Sequence, residues 1–363
     1  MTLSIQSSAT RISSLALIAV AAALSPGSVR AQAAETTVQV PTFALPASNQ
    51  LSPEARRILA RQLADPAPDF GNDVAAARAY FGKYNAARLV EMRGLFATRE
   101  KRTSMGGIRV DVVTPSTGVL ARNATRVLIN VHGGAFKWGS GSGALIEAIP
   151  IAATMGIKVV AVDYRLAPEH RYPAASEDVA TVYRELLKTY PAGNIGIYGC
   201  SAGGIITAQA ITWFANHGLP RPGAAGTFCG TGAPYGGDSP YLSGPTTGGK
   251  SLSAATLPDT LPTEYMEGVP ATDAQAYPGM SVAALRAFPP TLQLAGGRDF
   301  AVSALTRQHR RLAALGVPTE LQLFDGLGHA FFVWPQMPES KEAYALIARF
   351  FDRYLGGGAT PRK

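Results

Sequence analysis

From residue 108 onward, short runs of β-branched residues alternate with longer stretches at helical spacing, and this alternation constrains the fold more than any other feature. The predicted strands are 108–114, 126–131, 157–162, 194–198, 225–229, 291–295 and 319–324. The predicted helices between and after them are 144–155, 173–190, 202–217, 302–315 and 340–354. Strands that alternate regularly with helices indicate an α/β fold with a mostly parallel, doubly wound sheet.

Two intervals depart from the alternation. Residues 34–105 carry helical signals and no strand pattern, and residues 236–289 are rich in Gly, Pro, Ser and Thr without a strand. A span of that size inside a compact domain is usually a lid or an insertion. We therefore predict a catalytic core in two parts, 106–235 and 290–363, under a helical cap made of the N-terminal segment 34–105 and the inserted segment 236–289.

Residues 1–33 have the pattern of a signal peptide. Arg11 precedes an apolar run over residues 12–24, and small residues offer cleavage after Ala31 or Ala33. The run is shorter than the ~20 residues that a membrane-spanning helix needs. We expect a secreted or periplasmic protein without stable membrane insertion, rather than one held by an N-terminal anchor.

The charge distribution argues against a nucleic-acid partner. The formal net charge is +8, but the basic residues are scattered and mostly lie beside acidic ones. Nucleic-acid binding needs basic residues clustered on one face. We expect a small-molecule partner, and the sequence does not indicate the oligomeric state.

A G-x-S-x-G pattern at 199–203 lies between a predicted strand and a predicted helix. A serine in such a tight strand-turn-helix is presented at the end of the strand, with its hydroxyl exposed. The amino end of the helix behind it favours developing negative charge. This setting predicts that Ser201 is a nucleophile.

The nucleophile needs a general base and an acid to orient that base. Of the five histidines, His329 is the last, in a glycine-rich loop after the final strand. Asp299 follows the strand 291–295 and is the predicted acid. Asp325 also ends a strand, but its position four residues before His329 on one loop makes the geometry awkward.

Consecutive glycines follow the strand 126–131 and expose backbone N–H groups. We predict an oxyanion hole made by the N–H groups of Gly133, Gly134 and Ala202. His132, just before them, is predicted to brace this loop rather than to act as a base.

Together these motifs resemble the hormone-sensitive-lipase family of α/β-hydrolases, in its bacterial esterase branch. The motifs are HGGAF at 132–136, DYRLAPEH at 163–170 and SAGG at 201–204, followed by Asp299 and His329 at the acid and base positions. The resemblance implies the α/β-hydrolase fold with a helical cap. It also implies a carboxylesterase without cofactor or metal, which hydrolyses short- to medium-chain acyl esters through an acyl-enzyme.

Two positions depart from the family. Most members carry an acid directly before the nucleophile, where this chain has Cys200, and a second acid four residues after the catalytic one, where it has Ser303. Cys200 and Cys229 end adjacent predicted strands, so both a disulfide and two buried thiols are consistent with the sequence.

The substrate pocket is predicted to be lined by Phe136 and Trp138, with aromatic residues of the cap. The cap residues are Phe81, Tyr84, Tyr241 and Tyr265. The same triad would serve a lactonase, a polymer-ester hydrolase or an amidase, and the acyl length and stereopreference are not determined. A catalytically inactive ligand-binding relative is a further alternative, which the retention of all three triad residues disfavours.

Overall fold

Eight strands form one mixed sheet in the part of the chain that the structure describes, with the order β1-β2-β4-β3-β5-β6-β7-β8. The strands are β1 Thr98–Met105, β2 Ile108–Pro115, β3 Val127–Val131, β4 Lys158–Val162, β5 Ile195–Cys200, β6 Ala224–Phe228, β7 Thr291–Gly296 and β8 Thr319–Phe324. β1 and β2 pair antiparallel with each other and β2 with β4, whereas all other neighbours are parallel. The predicted doubly wound α/β-hydrolase fold is confirmed.

The computed structural model describes residues 38, 44–247, 261 and 263–357. The predicted signal peptide, residues 1–33, lies outside the described residues.

The chain divides into two units, Met1–Leu45 and Pro46–Lys363. The residues described in the first unit are exposed, and every described strand and helix lies in the second unit.

The described helices connect the strands and extend to both ends of the sheet. They are α1 Pro53–Ala64, α2 Val74–Leu95, α3 Ser142–Met155, α4 Ala174–Leu187, α5 Ala202–Asn216, α6 Ser239–Thr246, α7 Val282–Arg286, α8 Val302–Ala314 and α9 Pro338–Tyr354. No helix in the described ranges has both the length and the apolarity needed to cross a bilayer.

Alternate residues of each central strand pack on opposite faces of the sheet. In β3, Leu128 belongs to the core with α3 and α9, whereas Val127 and Ile129 belong to the core with α4 and α5. Because side chains of a strand alternate in direction, a strand buried on both faces is apolar throughout. Because β3, β5, β6 and β7 pair in parallel, their carboxyl ends lie along one edge, where ligands bind in such sheets.

The first strand lies where we predicted only helix. β1 is formed by the charged segment Thr98–Met105 and pairs along its whole length with β2. It is an edge strand with mostly exposed side chains, so it needs no apolar alternation, and charged residues there discourage pairing with other chains. The absence of strands before residue 108 is therefore wrong, and the sheet begins inside the predicted N-terminal cap segment.

Part of the predicted inserted cap belongs to the core. Tyr265 and Tyr277 are fully buried, and the Tyr265 ring stacks on Phe136 with centroids 4.7 Å apart. α6 lies instead beside the acid loop, where the Ser239 hydroxyl donates to the Phe300 carbonyl oxygen at 2.7 Å. The Ser303 N–H in turn donates to the Ser239 hydroxyl at 2.9 Å, so Ser303 ties α6 to this loop.

Candidate active site

Ser201 occupies the sharp turn between β5 and α5. Its φ of 58° and ψ of −125° lie in a region that residues other than glycine rarely adopt. The turn is crowded, since a Cβ at Gly199 would lie 2.1 Å from the Val131 carbonyl oxygen, and one at Gly203 1.9 Å from the same atom. Only glycine fits at these two positions, which explains the spacing of the sequence motif.

His329 and Asp299 form a hydrogen-bonded pair at the ends of β8 and β7. The His329 Nδ1 lies 3.0 Å and 2.9 Å from the two carboxylate oxygens of Asp299. Asp299 is 1% exposed and also accepts the Ala301 N–H at 2.8 Å. The competing acid, Asp325, accepts a hydrogen bond from the Ser48 hydroxyl. Of the two acids, the structure pairs Asp299 with the imidazole.

The imidazole is oriented from both sides. The His329 ring stacks on Phe300 with centroids 4.4 Å apart and an interplanar angle of 23°. Ala330 has a φ of 52°, and this left-handed turn redirects the chain directly after the histidine. With Nδ1 held by Asp299, the Nε2 atom remains to serve Ser201.

Ser201, His329, Gly133 and Gly134 line one cavity of about 340 Å³. The structure thus brings the predicted nucleophile, base and oxyanion loop to one place, with the predicted acid bonded to the base. Gly133, Ser201 and His329 are each more than 60 residues apart in the sequence, and the shared edge of the sheet brings them together.

The glycine loop after β3 presents backbone N–H groups to this cavity. Among the described residues, no acceptor takes the N–H of Gly134, Ala135 or Ala202. Gly134 has a φ of 119°, and a Cβ there would lie 2.0 Å from the Trp138 carbonyl oxygen. Gly134 and Ala202 therefore have free N–H groups, and their role in an oxyanion hole stays a prediction.

The prediction that the Gly133 N–H belongs to the oxyanion hole is wrong. This N–H donates to the Glu147 carboxylate at 2.8 Å, so it is not free for an oxyanion. Gly134 and Ala135 both have a positive φ, 119° and 50°. After Gly134, the next N–H group without an acceptor is that of Ala135. We therefore assign the hole to Gly134, Ala135 and Ala202, and this assignment stays a prediction.

Glu147 is a buried acid that the sequence analysis missed. It lies in the apolar helix α3, is 8% exposed, and lines the same cavity as Ser201. Burial raises its pKa to about 7, against the opposing effect of hydrogen bonds from Gly133 and Asn130. A lone acid in an otherwise apolar helix was the available signal.

His132 is buried and stacks on Tyr164 with ring centroids 4.3 Å apart. The His132 Nδ1 lies 2.7 Å from the Gly133 carbonyl oxygen. The Tyr164 hydroxyl donates to the backbone carbonyl oxygen of His132 at 2.7 Å. Burial lowers the pKa of the His132 imidazole, which favours the neutral ring. It braces the glycine loop, as predicted.

Aromatic side chains from α2 and two loops wall the cavity. Phe81 stacks on Trp138 with centroids 4.5 Å apart and an interplanar angle of 6°. Phe81 also lines a second cavity of about 400 Å³, which shares His329, Tyr84 and Trp334 with the first. Trp138 lines the first cavity, and its role in substrate binding stays a prediction.

Phe136 does not line either cavity. It is 3% exposed, and its ring stacks on that of Tyr265 in the core. Tyr265 is buried with it, and Tyr241 is absent from the lining of both cavities. The predictions for Phe136, Tyr265 and Tyr241 as pocket residues are wrong.

Cys200 and Cys229 are free thiols in contact with each other. Burial raises the pKa of both thiols, which keeps them protonated. Ligand atoms of Cys229, Asp299 and His329 lie within 4.8 Å of one another. Two of these three residues are the histidine–aspartate pair itself, bonded through the His329 Nδ1 atom.

Comparisons with known proteins agree with this architecture. A family model described as alpha/beta hydrolase fold matches residues 128–333. The acetyl-hydrolase LipR of Mycobacterium tuberculosis is 28% identical over 256 residues, which cover 68% of this chain and 78% of that protein. The crystal structure of esterase E25 is similar at 27% identity and a TM-score of 0.76, covering 88% of this chain and 99% of that one. An esterase from the bacterial hormone-sensitive lipase family is similar at 25% identity and a TM-score of 0.68, covering 84% and 99%.

Proposed function

Because this chain belongs to the α/β-hydrolases, in the bacterial hormone-sensitive-lipase branch, we propose that it is a carboxylesterase that hydrolyses short- to medium-chain acyl esters. The similar proteins are named as esterases and an acetyl-hydrolase. The observation that carries the proposal is that His329, hydrogen-bonded to Asp299, lines the same cavity as Ser201.

The mechanism follows from the hydrogen bonds. Asp299 holds the His329 Nδ1–H, so the Nε2 atom accepts the hydroxyl proton as Ser201 attacks the ester carbonyl. The Gly134, Ala135 and Ala202 N–H groups stabilise the oxyanion. His329 then returns the proton to the leaving alkoxide, and water releases the acyl group from Ser201 by the same steps in reverse order.

The size of the cavities supports the substrate class. The first cavity, about 340 Å³, holds the reacting groups, and its aromatic walls at Phe81 and Trp138 favour apolar chains. The neighbouring cavity of about 400 Å³ offers space for a longer acyl or alcohol part. Export by the segment 1–33 would put the enzyme where exogenous esters are met.

The proposal is tested with p-nitrophenyl esters from acetate to palmitate. We expect highest activity on the short and medium chains, and a loss of ~10⁴-fold or more in kcat for Ser201→Ala. Asp299→Asn should lower kcat by ~10⁴-fold, because asparagine would hold the imidazole in the wrong tautomer. Asp325→Asn is the matched control and should retain near wild-type kcat.

Unchanged activity in Ser201→Ala, or equal losses in the two aspartate variants, would overturn the mechanism. Hydrolysis of lactones or polyesters but of no p-nitrophenyl ester would keep the triad and replace the substrate class.

A further inference from the structure

We propose that Glu147 is a positioning residue for the oxyanion hole, which it holds against the nucleophile turn through the Gly133 N–H. The inference rests on the proposed function, since it assigns a role to the loop that stabilises the oxyanion. Glu147 lies in α3, outside every motif that led to the predicted site.

Glu147 links three parts of the site, two through its side chain and one through its backbone. Its Oε1 accepts the Gly133 N–H at 2.8 Å, and its Oε2 accepts the Asn130 side-chain amide at 3.2 Å. Its backbone carbonyl oxygen accepts the Tyr198 hydroxyl at 3.1 Å. Through these bonds α3 is tied to the end of β3, to the glycine loop and to the nucleophile strand β5.

The glycine loop lies directly on the nucleophile turn. A Cβ at Gly133 would be 2.9 Å from the Cys200 carbonyl oxygen and 3.3 Å from the Ser201 Cβ. A displacement of Gly133 therefore moves the neighbouring Gly134 and Ala135 N–H groups relative to Ser201. Catalytic donors work only within a few tenths of an ångström of their place, and a 1 Å error costs ~10²-fold.

Both protonation states of Glu147 keep the bond to Gly133. A neutral carboxyl still has a carbonyl oxygen that accepts one N–H. Its hydroxyl on Oε2 then faces the Asn130 amide nitrogen, and a 180° turn of that amide brings the buried Oδ1, which has no partner among the described residues, into place as the acceptor. A glutamine at 147 needs the same turn of Asn130, after which its amide donates to Asn130 Oδ1. The role thus depends on an acceptor at the right reach and not on a charge.

Three substitutions separate these features. Glu147→Gln keeps the acceptor, Glu147→Leu removes it at similar volume, and Glu147→Asp shortens its reach by one methylene. The readouts are kcat and KM for p-nitrophenyl butyrate and the inhibition constant of an alkyl trifluoromethyl ketone. The adduct of this ketone with Ser201 carries an oxyanion, so its affinity reports on the hole directly.

We expect Glu147→Leu to lower kcat by ~10- to 100-fold, with KM within about threefold and ketone affinity reduced by the same factor as kcat. Glu147→Gln should stay within about fivefold of wild type in both quantities. Ile149→Ala, on the same helix, is the control for lost packing and should lower the Tm without lowering kcat.

The inference is overturned if Glu147→Leu keeps wild-type kcat, if its kcat falls while ketone affinity is unchanged, or if Ile149→Ala lowers kcat equally. Should the leucine variant fail to fold, Glu147→Asp decides: a kcat loss supports the role, and wild-type kcat and ketone affinity refute it. Labelling of wild type with a fluorophosphonate keeps the two proposals apart. An unlabelled Ser201 defeats the proposed function, whereas a labelled enzyme with an active leucine variant defeats the inference alone.

Discussion

Five residues other than glycine have a positive φ in the described part of the chain, and all five lie at or next to the candidate site. They are Ala135, Phe136, Ser201, Cys229 and Ala330. Each such conformation costs of order 1 kcal/mol or more, so it persists only where the surroundings enforce it. Four of the five lie in the loops that present the nucleophile, the base and the oxyanion donors, and Cys229 lies in the loop after β6, in contact with Cys200.

Cys200 stands where the related family usually has an acid, and we predict that this chain does not tolerate one. Its side chain is 2% exposed, and Glu147 and Asp299 both disfavour a negative charge there. Cys200→Asp should reduce the free energy of unfolding by ~3 kcal/mol or more at pH 8, against ~1 kcal/mol for Cys200→Ala. Urea denaturation of both variants measures the difference.

The double variant Cys200→Asp with Glu147→Gln is the matched control, because it removes one of the two repelling carboxylates. It should recover part of the loss. Equal stability of the aspartate and alanine variants would show that the pocket accepts a carboxylate beside Glu147.

Glu147 should make stability depend on pH. Burial raises its pKa to about 7, from an ordinary value of 4.5 that it regains on unfolding. Between these values the unfolded chain has lost the proton and the folded chain keeps it, so this group lowers the free energy of unfolding as pH rises. Relative to Glu147→Gln, wild type should lose on the order of 3 kcal/mol between pH 4.5 and 8.

Chemical denaturation across this range tests the prediction, with Ile149→Val as a control whose difference from wild type should not change with pH. A constant difference between wild type and Glu147→Gln would contradict it. The other titratable groups that interact with Glu147 are Tyr164, Tyr198, Cys200, Cys229 and His329.

At the scale of elements, α1 and α2 connect the N-terminal part of the chain to the catalytic core. The Ser52 hydroxyl caps α1 by accepting the Ala55 N–H at 3.1 Å, and it donates to Glu339 of α9 at 2.8 Å. In α2, the Arg78 guanidinium forms two hydrogen bonds of 2.7 Å with Glu169. These contacts fix the helix that carries Phe81 and Tyr84 over the cavity.

The packing of α2 on the glycine loop should limit the length of the acyl chain that the site accepts. Phe81 lines both cavities and stacks on Trp138, so we expect Phe81→Ala to widen the passage between them. We expect the ratio of kcat/KM for p-nitrophenyl octanoate to that for acetate to rise on the order of tenfold. Phe70→Ala is the control, because Phe70 contacts Phe81 without lining either cavity. An unchanged ratio in Phe81→Ala would show that the wall does not select chain length.

At the scale of the whole molecule, export remains a proposal that rests on residues 1–33. Expressed with this segment in a bacterium, the protein should accumulate outside the cytoplasm with Gln32 or Ala34 as its first residue. Mass spectrometry of the exported protein identifies the cleavage site, and Arg11→Glu should reduce export. A cytoplasmic protein that keeps Met1 would contradict the proposal.

The fold and the family could be predicted from the sequence, because strand and helix periodicities follow directly from which faces are buried. The strands from Ile108 onward are confirmed, as is the membership implied by the motifs. β1 was not predicted, because an edge strand of charged residues has no apolar alternation. The roles of Ser201, Asp299 and His329 stay predictions, now with a geometry that can be tested.

Local sequence thus determined the glycine-flanked turn at Ser201 and the order of strands and helices, since both depend on steric limits and burial over a few residues. The tertiary structure decided which side chains and N–H groups face the cavity. The Gly133 N–H donates to the carboxylate of Glu147, 14 residues away, and the Phe136 side chain is buried in the core. Whether an N–H is free depends on what packs against it, and that partner lies on another element whose position no local pattern specifies.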